Sequence, residues 1–203
     1  MSISSARWSG AFAITVWLLA AGSVPVVRAD EVSDTIAAAA RHYARGEKSR
    51  AASELEYAAQ IIRDARSAAL LRFLPRPLKG WTATDGAGET VGAPGLEGGS
   101  TAARDFMLRD SVVSVSIAAE SAALKAAVVM LSNPLLATAD GGHLERIGQQ
   151  QAIVKYDAAR RAGTVTLVVG KRYVVSVTGS AVDWEALRAY ASGVDFVGLG
   201  AFN

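Results

Sequence analysis

Pro75 and Pro77, two prolines separated only by Arg76, divide this chain into halves with different hydrophobic periods. A proline has no amide hydrogen to donate and its ring obstructs the preceding helical turn, while the residue ahead of it is pushed toward extended backbone. No helix can run through "LPRPLKGW", so the elements on either side meet at a joint.

Upstream of that joint, residues 31 to 74 contain no proline and one glycine, and they are rich in alanine, arginine and glutamate. This is helix-forming material. Val32, Ile36, Ala40 and Tyr43 recur at helical spacing up to Gly46, a suitable helix stop. Ala52, Leu55, Ala59, Ile62, Ala69 and Phe73 form a second stripe. The pattern predicts a helical hairpin over residues 30–74, whose second arm of roughly 27 residues would be about 40 Å long at 1.5 Å per residue.

Residues 36–60, "IAAAARHYARGEKSRAASELEYAAQ", resemble a single tetratricopeptide repeat. Ala39, Tyr43, Gly46, Ala51, Leu55 and Ala58 stand at the small and large packing positions of that motif, and the resemblance implies a hairpin that receives a protein or peptide. No second copy follows. A lone unit has no neighbouring repeat to cover its apolar stripe, which must therefore pack on something else.

Residues 75–99 read as a proline- and glycine-rich joint and loop, with six glycines from Gly86 to Gly99. A phosphate cradle would need a strand before the glycines and a helix after them, with a Gly-Lys-Ser/Thr ending. None of these is in the sequence, and a mobile surface loop is expected.

From Ser100 the period changes to two. "STAARDFML" and "SVVSVSIAAE" flank Arg109-Asp110, and Val113, Val115 and Ile117 alternate with Ser114 and Ser116, the pattern of a strand with one buried and one wet face. "SAALKAAVVML" reads as a helix with Ser121 at its N-cap. "HLERI", "QAIVKYD", "TVTLVV" and "YVVSVT" read as four more strands, the last two joined by a tight turn at Gly170-Lys171. A closing helix follows in "SAVDWEALRAYASGVDF", where Ser180 and Asp183 suit a capping arrangement and Gly193 a C-terminal cap.

The expected fold class is α+β: an N-terminal helical hairpin, then over residues 100–203 an antiparallel sheet of about six strands with one inserted and one C-terminal helix. The order of elements over residues 81 to 197 resembles the Mog1/PsbP-like sandwich, a fold of binding and assembly factors. The Gly80-Trp81 pair and the terminal "AY…DF" helix are similar to a group of proteobacterial exported proteins.

The N-terminus has a targeting signature. Arg7 precedes the apolar stretch "AFAITVWLLAAG", and Val27 and Ala29 stand at the small-residue positions of a cleavage site, so residues 1–29 are expected to be a signal peptide cut near Ala29. Export to the periplasm, or secretion, follows, without a stable membrane anchor after cleavage. The whole chain carries 21 basic and 19 acidic groups. Removing Arg7 and Arg28 leaves 19 of each, which gives no overall field to hold a nucleic acid. With no cysteine, disulfides and thiolate metal sites are excluded.

Candidates for chemistry are few. His143 starts a strand with Glu145 on the same strand face, and a metal or nucleophilic site would need more ligands or an activated serine than these supply. Arg160 and Arg161 lie in a charged turn able to hold an anion. Trp81 can stack on a ligand or seal the joint. Catalysis would require His143, Glu145 and Arg160 to converge on one cleft. No cofactor, metal or catalytic residue is assigned, and the chain is expected to be non-enzymatic: an exported interaction or assembly factor working on another envelope protein. The alternative is a small-ligand or lipid-binding module, with a pocket between inserted helix and sheet lined by Val128 and Met130.

Overall fold

The computed structural model describes residues 29–87, 99–138 and 141–202. The expected signal peptide therefore lies outside the described residues up to Ala29, as does most of the glycine loop.

Helices α1 (Ala29–Ala44) and α2 (Lys48–Leu70) form the hairpin. Gly46 turns the chain at a φ of +78°, a left-handed conformation that favours glycine. The Glu47 carboxylate braces the turn: Arg45 and His42 hydrogen-bond to it and hold its pKa down to about 2. The two helices meet through small side chains, with Ala39, Ala51 and Ala58 buried beside Thr35 and Ile61. Such residues let helix axes approach closely.

The second arm is shorter than its periodicity suggests. It ends at Leu70, giving 23 residues and about 34 Å. The chain then tightens into a 3-10 turn, Leu71–Phe73, whose Phe73 and Leu74 enter the main core beside Leu70.

Among the described residues seven strands, one more than expected, form a fully antiparallel sheet. They are β1 (Thr82–Ala87), β2 (Thr101–Leu108), β3 (Ser111–Ala119), β4 (His143–Ile147), β5 (Gln150–Asp157), β6 (Ala162–Val169) and β7 (Tyr173–Ser180), in the spatial order β1-β2-β3-β7-β6-β5-β4. The additional strand is β1, inside the segment read as joint and loop. "TATDGA" has no apolar alternation because it is an edge strand with residues 82–86 exposed; it is held by its ladder to β2 and by the Arg104–Asp85 ion pair.

The sheet separates two layers. One face carries the main core: Phe106, Val113, Val115, Ile117, Val165, Leu167, Val175 and Val177 pack against α5 (Trp184–Ser192), α6 (Phe196–Ala201) and the end of the hairpin. Tyr190 is central to it, stacked on Phe106 at 4.1 Å between ring centroids and meeting the edge of Trp81 at 5.3 Å. On the opposite face, α3 (Ala122–Ser132) and α4 (Pro134–Thr138) lie over a smaller cluster in which Ala127 packs with Ala118 and Val174. The rest of that face carries Ser114, Ser116, Thr164, Thr166, Ser176 and Thr178.

Ser121 caps α3 as expected, accepting from the Leu124 amide at 3.2 Å. The closing helix differs from expectation. Asp183, not Ser180, caps α5, and the helix breaks at Gly193 so that Asp195 caps a separate α6. Ser180 stays in β7 and cannot serve as the cap.

Candidate functional site

The hairpin positions the most distinctive surface of the molecule. Alanines at the helix–helix contact leave the larger apolar residues elsewhere. Ile36 is 46% exposed, Tyr43 68%, Leu55 52% and Ile62 44%.

These four residues share one side. At 3.6 residues per turn, Ile36 and Tyr43 lie about 50° around α1 from the line through Ala39; Leu55 and Ile62 lie about 50° around α2 from the line through Ala58, in the same rotational sense. Because the helices are antiparallel, equal rotation in the same sense brings both pairs to one face of the hairpin. Ala40, Ala44, Ala52 and Ala59 fall between and beside them. Charged residues are kept off its centre. Asp34, Arg41, Arg45, Glu54 and Asp64 fall on the far side, and Lys48, Arg63 and Arg66 mark its ends.

The hairpin is anchored to the sheet at its base, the end away from the Gly46 turn. The Ser67 hydroxyl accepts the Thr101 amide at 3.0 Å, Arg66 pairs with Glu120 at 3.0 Å, and an Arg104 amine donates to the Pro75 carbonyl at 2.8 Å. Large apolar side chains left exposed on an element anchored at one end form a surface suited to excluding water with a second molecule.

The residues singled out from sequence are dispersed. Trp81 packs edge-on to Tyr190 at the joint. His143 and Glu145 do come together, with His143 Nε2 3.5 Å from a Glu145 carboxylate oxygen, but the other Glu145 oxygen turns to Arg188 of α5 at 3.3 Å. Arg160 is held by Asp157 at 3.6 Å instead. It borders a shallow depression of about 450 Å³ with Lys155, Thr164 and Thr178. Arg161 adopts a φ of +50° in the turn, and its carbonyl accepts the Val182 amide. Among the described residues, no group of three or more histidine, aspartate or glutamate side chains is placed to hold a metal ion.

The space between α3 and the sheet is filled by Ala123, Leu124 and Ala127 against Ala118, Val168 and Val174. Of the residues expected to line a pocket there, Val128 is half-buried and Met130 exposed.

Ile36, Tyr43, Leu55 and Ile62 all belong to stripes found by periodicity, and Tyr43 and Leu55 to the repeat-like motif as well. Sequence reasoning assigned those stripes to packing. The signal that separates the two roles is a second, adjacent row of small residues, Ala39, Ala51 and Ala58, which supplies the helix–helix contact and frees the large row. Comparison with protein-family models, with curated proteins and with solved structures finds no match to this chain.

Proposed function

We infer that the chain is an exported, non-enzymatic interaction or assembly factor whose hairpin binds another envelope protein. The observation that supports this reading is the face bearing Ile36, Tyr43, Leu55 and Ile62, with no charge at its centre, exposed on a hairpin whose base is braced against a well-packed sheet domain. Burying a large aliphatic side chain contributes about 1.5–3 kcal/mol. Three such groups and the Tyr43 ring in one patch provide a core on which a partner surface can close.

The test is a crosslinking pull-down from envelope extract, using wild-type chain and a Leu55→Glu/Ile62→Glu variant. The wild type is expected to be recovered as a chain beginning at Asp30 and to capture a defined partner. The variant should fold with an unchanged circular dichroism spectrum and lose that partner. Equal capture by the variant would overturn the reading.

A further inference from the structure

A second apolar surface lies on the opposite side of the sheet, on the outer face of α3 and α4. From Ala122 to Thr138 the only charged residue is Lys125. Ala127 faces the sheet, so Val129, two positions on, points away from it; Val129 is 57% exposed, Met130 38% and Leu135 79%. These tips project outward on short helices.

Three described cations lie close to them, while the two acids of the same sheet face, Asp105 and Asp157, stand toward its other end, paired with Ser114 and Ala162. Lys125 is exposed on α3 itself. Arg146 is exposed on β4 and lies on the α3–α4 side, because its neighbour Ile147 is buried in the main core and successive strand residues point to opposite faces. Lys171 is exposed in the turn just beyond Val168 and Val174, the sheet residues that α3 covers. The nearby acids are engaged elsewhere. Glu145 faces the other way toward Arg188, and Glu120, at the start of α3, is held by Arg66.

We propose that the outer face of α3 and α4 seats on an anionic phospholipid surface, with Val129, Met130 and Leu135 entering the acyl boundary and Lys125, Arg146 and Lys171 meeting the headgroups. Charge complementarity selects this occupant, since projecting apolar tips inside a cationic collar match a negatively charged interface. A bilayer also requires no complementary shape, only apolar tips that can enter it beside cations that meet its headgroups. No helix among the described residues is long and apolar enough to cross a membrane, so this contact lies on the surface. It does not depend on the hairpin reading. The hairpin joins the sheet through the main core on the other face, and a molecule seated on α3 and α4 leaves it accessible.

The chain has no cysteine, so a single introduced one labels uniquely. Full-length Leu135→Cys, carrying an environment-sensitive nitrobenzoxadiazole label, is titrated with vesicles of phosphatidylglycerol and phosphatidylcholine in equal parts, and separately with phosphatidylcholine alone. Tyr43→Cys serves as the control site. The expected result is a blue-shifted, several-fold brighter emission at position 135 with the anionic vesicles and little change at position 43. Lys125→Glu/Arg146→Glu/Lys171→Glu in the same background should weaken vesicle affinity at least tenfold, since each cation near such a surface contributes roughly fivefold. No change at position 135, an equal response to phosphatidylcholine alone, or a response produced only by a lipid-free protein extract would each overturn the proposal.

Discussion

Gly179 shows how one missing carbon can set the spacing of two layers. It lies in β7 facing α5, where an added Cβ would fall 2.4 Å from Val182 Cγ1 and 2.8 Å from Leu187 Cδ1. Both neighbours are buried, so neither can move aside without disturbing the core. Gly179→Ala should destabilise by about 1–3 kcal/mol, lowering Tm by roughly 2–10 °C in a thermal melt. Asp85 gives a milder, pH-dependent effect. The Arg104 guanidinium hydrogen-bonds its carboxylate and lowers its pKa. The sign follows from linkage: stabilisation is complete above the ordinary carboxylate range and is lost as pH falls through the lowered value. Because Asp85 is partly exposed, its contribution should stay below about 1 kcal/mol. The stability difference between wild type and Asp85→Asn in denaturant titrations should therefore shrink as pH falls below the ordinary carboxylate range; a constant difference would show that the ion pair does not contribute. Neither effect could be read from sequence. "TATDGA" gives no sign of its partner strand, and nothing near Gly179 in sequence announces the approach of Val182 and Leu187.

At the scale of the element, the hairpin separates two kinds of apolar position that periodicity alone merges. Large residues at helical spacing normally mark the buried side, so the stripes through Ile36 and Leu55 read as core. Here close packing is carried by the alanine row, and the large row is left exposed. The two rows should respond oppositely to substitution. Leu55→Glu, on an exposed helical face, should change stability by no more than about 0.5 kcal/mol. Ala58→Leu inserts bulk at a buried position of the helix–helix contact and should cost about 1–3 kcal/mol. Thermal melts of the two variants decide the matter, since the reverse ranking would place Leu55 in the core. Most other elements were legible because their signals were local. The alternation in β3, the Gly170-Lys171 turn and the Ser121 cap each arise within a few residues. So does the C-terminal cap of α5 at Gly193. The separate α6 that follows was not legible, because the chain is redirected by contacts across more than a hundred residues: Gly193 packs against Pro75 and the Asp195 amide donates to the Phe73 carbonyl.

Across the whole molecule, stability is distributed unevenly in a way that follows from the division at Pro75 and Pro77. The central strands β3 and β7 are hydrogen-bonded on both sides and covered on their core face by α5. Among its described side chains, helix α1 contributes only Thr35 and Ala39 to the buried set, and none of them to the main core. Helix α2 differs along its length, since only its last turns reach the sheet through Ser67 and Leu70. Opening α1 should therefore require much less free energy than global unfolding. Hydrogen exchange followed by mass spectrometry should find α1 and the first half of α2 exchanging well before β3 and β7, with the end of α2 protected like the sheet. Exchange of α1 only with the sheet would show a single cooperative unit. Under the proposed function the same experiment has a second reading. A partner that closes over Ile36, Tyr43, Leu55 and Ile62 must stabilise the closed hairpin relative to its open form, so protection should rise selectively in α1 and early α2 when it binds. Protection gained instead across α3 would locate the partner on the opposite side of the sheet.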